Sequence, residues 1–267
     1  MRQKENAVYD EACRSALRLG AMYREMTRFK DAIDLYDEFN DKTLSNRQTY
    51  FRLLMNKGII YKNMVQNAMF YGEIKSESNL TNYFQAKKNY EETLGYAQNA
   101  DDVKLLLEIY AEFVELDCIA YYMDLGTISE AERWAKEIDI ILPGYKVPGM
   151  RILRNLMWAR VFILKCELDN AFRCLKEGFE IGRKFSLPFY STDCCNLITG
   201  MMCNAIRDTA FATDENLLEA IRYGNYAISY YRQLGVESHR YLHDSIEKQD
   251  KLLAEWRTRH DSEPELI

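Results

Sequence analysis

The sequence predicts an all-α protein, a right-handed superhelical solenoid of about five antiparallel helix hairpins closed by a C-terminal capping helix. Three observations predict it. Gly20 and Tyr23 are followed by Ala32 and Tyr36, and these offsets return four more times along the 267 residues with substitutions and insertions. Only 4 prolines and 12 glycines are present, and scarce helix breakers favour long helices over a many-stranded sheet. Hydrophobic residues make up 48% of the chain, enough for a sizeable core. The repeats are expected over residues 1–236, with a capping helix and polar tail over 237–267.

The first hairpin is the clearest. Ala16, Leu19, Gly20 and Tyr23 share one helical face. After a turn at Arg28 and Lys30, a second stripe holds Ala32, Ile33, Leu35, Tyr36 and Phe39. Small Gly20 and Ala32 let the helices approach, and the tyrosines fill the space around that contact. The second hairpin repeats this with Gly58 and Tyr61, then Ala86 and Tyr90, across an insertion of about 16 residues. Met64 to Tyr71 is apolar enough to continue the first helix. The polar stretch from Gly72 to Thr81 reads as a loop.

The third hairpin runs from Asp101 to Gly144. Val103, Leu106, Leu107, Tyr110, Phe113, Val114, Cys118 and Tyr121 recur at helical spacing. Thr127 and Glu130 form a capping-box pattern, and Pro143 with Gly144 ends the second helix. The fourth hairpin has Trp158, Ala159 and Phe162, then Ala171, Leu175 and Phe179. Pro188 opens the fifth, where Gly200 and Cys203 precede Ala220 and Gly224. From Ser238 to His260 a charged amphipathic helix covers the apolar face that the last hairpin leaves open.

The Gly-x-x-Tyr and Ala-x-x-x-Tyr pattern resembles the tetratricopeptide repeat family, over residues 10 to 236. Leu19, Gly20, Tyr23, Ala32 and Tyr36 carry the resemblance first, then Gly58, Tyr61, Ala86 and Tyr90. Tyr122, Ala131 and Pro143 follow, then Trp158, Ala159, Phe162 and Ala171, and Gly200 with Ala220 last. The usual period is about 34 residues. Here the alanines at 32, 86, 131, 171 and 220 lie 54, 45, 40 and 49 apart, so the repeats are divergent and their helices long.

The resemblance implies binding on a concave face lined by the first helix of each hairpin. Counting from the glycine landmarks, the lining residues are Arg52, Asn56, Lys62, Leu116, Arg160, Asn204 and Arg207. Phe113, Leu116 and Ala120 make its middle apolar. The family's carboxylate-gripping mode is not expected, because Leu17 and Ala21 stand at its first-repeat positions.

Little in the chain points to catalysis or a cofactor. Phosphate-binding glycine loops and nucleophile elbows are absent. His239 and His243 share a helix face without a third strong ligand, so no metal is expected. Cys194 and Cys195 are adjacent, which disfavours a relaxed disulfide. The seven cysteines show neither zinc spacing nor a disulfide framework, which fits core thiols in a reducing, cytoplasmic compartment. Glu112 and Glu115, like Glu130 and Glu132, read as solvated surface. A net charge of −6 argues against nucleic acid, and no apolar run of membrane-spanning length occurs.

The expected function is therefore a scaffold or adaptor, not an enzyme, binding a protein or peptide partner, with homo-oligomerisation possible. The alternative is a ligand-sensing or oligomerisation module of a signalling or transcriptional regulator.

Overall fold

The computed structural model describes residues 2–39, 47–208, 210–235 and 240–264. All regular structure among them is helical. The chain forms two compact units, Met1–Ile141 and Leu142–Ile267.

Unit 1 contains α1 (Arg2–Glu25), α2 (Phe29–Glu38), α3 (Arg47–Phe70), α4 (Glu77–Asn99), α5 (Val103–Tyr122) and α6 (Ile128–Ile141). Each helix packs on the next, and α3 also touches α1 and α5. Unit 2 opens with a 3-10 turn, Leu142–Gly144. It continues through α7 (Pro148–Leu164), α8 (Leu168–Lys184), α9 (Pro188–Ala205), α10 (Asp214–Gln233) and α11 (Arg240–His260). Here too each α-helix packs on the next, and α9 touches both α7 and α11.

The glycine landmarks of the first two hairpins work as close contacts. A Cβ at Gly20 would overlap the Tyr36 ring, and one at Gly58 would overlap Tyr90. Tyr36, Tyr90, Ala32 and Ala86 are buried. The buried Tyr36 hydroxyl is satisfied by donating to the Leu17 carbonyl at 3.2 Å. Gly200 differs, because a Cβ there would meet only the flexible end of Lys248 at 3.5 Å.

The expected loop over Gly72 to Thr81 is shorter than its polarity suggests. Ser76 accepts a hydrogen bond from the Asn79 amide at 3.3 Å and caps α4, which begins at Glu77. Its polar first turn stays in solvent, except Asn79, whose side chain donates to the Glu73 carbonyl. Thr127 delivers half of its capping box, its amide donating to Glu130 Oε2 at 2.9 Å. The expected start of the last helix at Ser238, and the boundary at 236/237, lie outside the described residues.

Six helix ends share a turn that composition did not announce. The residue two past the last helical one takes positive φ: Thr27 (57°), Gly72 (83°), Asp101 (50°), Asp124 (57°), Cys166 (58°) and Ser186 (53°). The next amide then donates five residues back. Arg28 reaches Tyr23 at 2.8 Å, Glu73 reaches Ala68 at 2.9 Å and Asp102 reaches Ala97 at 3.2 Å. Leu125 reaches Ala120 at 2.8 Å, Glu167 reaches Phe162 at 2.9 Å and Leu187 reaches Gly182 at 2.8 Å. This is the Schellman closure, normally carried by glycine. Five of the six residues are not glycine, which costs about 1 kcal/mol each.

Candidate functional site

In unit 1 a ladder of polar contacts joins α3 to α5. Gln48 donates to Asp102 at 3.0 Å, and Arg52 pairs with Glu108 at 3.2 Å. Lys62 pairs with Glu112 at 2.5 Å and also with Glu115. The residue numbers rise together on both sides, so the two helices run parallel with a stagger of about one hairpin. Glu108, Glu112 and Glu115 fall on one α5 face because their spacing is four and three.

Lys62 is the centre of this seam. Its side chain is 3% exposed. The Tyr90 hydroxyl of α4 donates to Glu112 Oε2 at 2.8 Å, so one cluster ties three helices together. Burial opposes the Lys62 charge, but Glu112 and Glu115 outweigh it and raise the pKa. The ammonium is therefore held protonated at neutral pH and is unsuited to act as a base or nucleophile. Burial, then the neighbouring Glu112, push Tyr90 well above its ordinary pKa, which keeps it a neutral donor.

Asp117, on the same helix, is 9% exposed. Burial, helped by Glu130, pushes its carboxyl up to about 6, against a hydrogen bond from Trp134 and the charges of Lys87 and Arg133. Trp134 stacks on Phe113 at 4.6 Å and carries the Arg133 guanidinium 4.4 Å from a ring centroid.

Along the middle of α11, unit 2 joins α9, α10 and α11 with neutral groups. Asn196 donates to the Tyr231 hydroxyl at 2.7 Å, and Ser245 donates to Asn196 at 3.0 Å. Gln249 donates to the Ile221 carbonyl and to Asn225, both at 3.0 Å. Gly224 makes room for the Gln249 amide, whose oxygen lies where a Cβ would stand. At the far end of α11, Arg259 donates to the Ala212 carbonyl at 2.6 Å and pairs with Glu255 at 2.8 Å and Asp214 at 3.3 Å.

Of the sequence-predicted lining residues, Arg52, Asn56, Lys62 and Leu116 belong to unit 1, and Arg160, Asn204 and Arg207 to unit 2. Leu116 is 0% exposed and belongs to the core. Lys62 is spent on its two glutamates, and Arg52 is half-buried on Glu108. Asn56 is half-buried and donates to the Arg52 carbonyl at 2.8 Å. Arg160 is half-buried on α7. Asn204 is exposed on α9, whereas Arg207 is exposed in the turn beyond it, because α9 ends at Ala205.

The reading of Glu112 and Glu115 as solvated surface is corrected. A lysine about fifty residues earlier in the chain draws both inward, which helix periodicity alone does not report. The pairing of 52 with 108 was detectable in principle as opposite charges at the hairpin stagger.

Cys13, Cys118, Cys174, Cys194 and Cys195 are buried free thiols, while Cys203 is half-buried and Cys166 is exposed. Burial, then Asp193, raise the Cys194 pKa, and burial, then Cys194, raise that of Cys195, so both stay as thiols. The expectation for His239 with His243 falls on one residue outside the described set, and His243 is exposed. Among the described residues no group of three or more His, Cys, Asp or Glu is arranged to hold a metal ion. No described helix is long and apolar enough to cross a membrane. No family model and no curated protein matches the chain.

Proposed function

We propose that this protein is a scaffold or adaptor that binds a protein or peptide partner on the faces of the first helices of its hairpins. The hairpins are read as divergent tetratricopeptide repeats wound in a right-handed solenoid. The observation that carries this reading is the α3/α5 register. The first helices α3 and α5 of successive hairpins run parallel and touch, and the first helices α7 and α9 also touch. Within each unit such contacts present a preformed face, and a preformed face loses little ordering entropy on binding.

The seam charges are already paired within unit 1. The side chains best placed to meet a partner are Asn204 and Arg207, followed by the half-buried Arg52, Asn56 and Arg160. The free thiols fit a reducing cytoplasm.

The test is affinity capture with the whole chain, followed by binding of the purified partner to the wild type and to the Asn204→Arg/Arg207→Glu variant. At least about tenfold weaker binding is expected. Unchanged affinity with an unchanged circular dichroism spectrum rejects the assignment of the face. A second reading, as a ligand-sensing or self-associating module, is favoured by the cavity between α3 and α4. Oligomerisation on addition of a small ligand would select it.

A further inference from the structure

Between α3 and α4 lies a cavity of about 410 Å³, lined by Arg47, Tyr50, Phe51, Gly95, Tyr96 and Asn99. It shares no residue with the charged seam. The Phe51 ring lies flat on Tyr96, with centroids 4.3 Å apart and planes 13° apart. Tyr50 meets Phe51 edge-on at 5.0 Å. These rings form an aromatic wall whose outer surfaces suit a flat group.

Gly95 sets this site apart from the other helical glycines. It lies inside α4, where glycine is less favourable than alanine. A Cβ there would have nothing within 4 Å, and the backbone does not need positive φ. Neither helix contact nor conformation therefore demands glycine at this position. Gly20 and Gly58 each make room for a tyrosine ring; Gly95 leaves only the cavity open.

The charge on the lining is one-sided. Arg47 is exposed and forms no ion pair with any described residue, and no carboxylate lines the cavity. A guanidinium beside ring faces is the pattern that takes a planar anion. Asn99 donates to the Gly95 carbonyl at 2.7 Å, which turns its amide along α4 beside the same opening.

We propose that this cavity binds an aromatic carboxylate, with the ring on the Tyr50, Phe51 and Tyr96 wall and the acid on Arg47. Its volume falls in the range of small-ligand sites, roughly 300–1,000 Å³. Two sources present this chemistry: a free aromatic acid, and the C-terminal aromatic residue of a polypeptide. In either case the proposal extends the ligand-sensing reading and does not depend on the partner face around Asn204 and Arg207.

The experiment is fluorine NMR of the full chain with two probes, para-fluorophenylacetate and N-acetyl-diglycyl-para-fluorophenylalanine. At least one is expected to bind saturably, and the tighter of the two identifies the source. Its C-terminal amide counterpart and the Arg47→Gln variant should each weaken binding about fivefold or more. Gly95→Leu should fill the cavity and abolish binding, with helicity and melting temperature unchanged or raised. The proposal is overturned if neither probe saturates by about 10 mM, or if binding survives Gly95→Leu. Such a failure, alongside a captured partner lost with the Asn204 and Arg207 variant, would leave the scaffold reading standing.

Discussion

Units 1 and 2 solve one problem with different chemistry. In each, helices two apart in sequence meet along a seam that is partly polar and partly buried. Unit 1 satisfies its α3/α5 seam with charges, around Lys62 and the glutamates of α5. Unit 2 satisfies the α9/α10/α11 seam with amides and hydroxyls, through Asn196, Tyr231, Ser245, Asn225 and Gln249. A charged seam is stronger per contact but depends on every partner being present, since a buried charge without its partner is costly. A neutral seam loses less when one member is removed and does not respond to pH.

Removing the central group of each seam is the sharpest test of that contrast. Lys62→Met leaves Glu112 and Glu115 close together and half-buried without their ammonium. A loss of about 3–5 kcal/mol in unfolding free energy is expected from denaturant titration. Adding Glu112→Gln and Glu115→Gln should recover most of it. A loss below about 1 kcal/mol would show that the seam does not depend on its charges.

Asp117→Asn tests the same unit through pH. The Asp117 carboxyl sits at about 6 in the folded protein against an ordinary 3.8. Between those values the folded state keeps a proton that the unfolded chain has released. Its contribution to stability is therefore largest below about pH 4 and falls as pH rises to about 6. Asp117→Asn should remove that slope, raising stability at pH 7 by about 3 kcal/mol while changing little at pH 4. Thermal melts at the two pH values would show it.

Gln249→Met is the counterpart in unit 2. It keeps the side-chain volume but leaves the Ile221 carbonyl and Asn225 without that donor. A loss of about 1–2 kcal/mol is expected, equal at pH 5 and pH 8. A pH-dependent loss would break the distinction between the two seams.

The smallest effect is expected at Gly200. Alanine there meets only the end of Lys248 and should stabilise the chain by about 0.5–1 kcal/mol. At Gly58 the same change would drive a methyl into Tyr90 and destabilise. Opposite signs at two residues that look alike in the repeat pattern would separate a packing glycine from a coincidental one.

These cases show how far the sequence could be read. Gly20 with Tyr36 and Gly58 with Tyr90 were visible because the contact lies within one hairpin, at fixed offsets. Gly200 matched the same offset without the contact, since the pattern does not record what faces it. The α4 start was hidden by polarity: Ser76 and Glu77 look like loop residues, yet they are what a helix N-terminus requires. The turns after α1 and α5 were visible at Arg28 and at Asp124 to Gly126, but their closure was not, because Thr27, Asp101, Asp124, Cys166 and Ser186 take a conformation usually read from glycine. Of the candidate lining residues, Lys62 and Leu116 turned inward, and Arg207 fell past the end of its helix.

The sequence by itself determined the helical class, the hairpin order and most of the buried apolar stripe. These follow from local spacing, scarce breakers and small residues set against rings, all encoded within a few turns of chain. Only the tertiary structure decided which charges face inward, where Asp117 holds its proton, and that Gly95 opens a cavity beside Arg47. Those outcomes depend on residues fifty positions apart meeting across a seam, or on the space left when two helices pack. Periodicity along one helix carries no record of either.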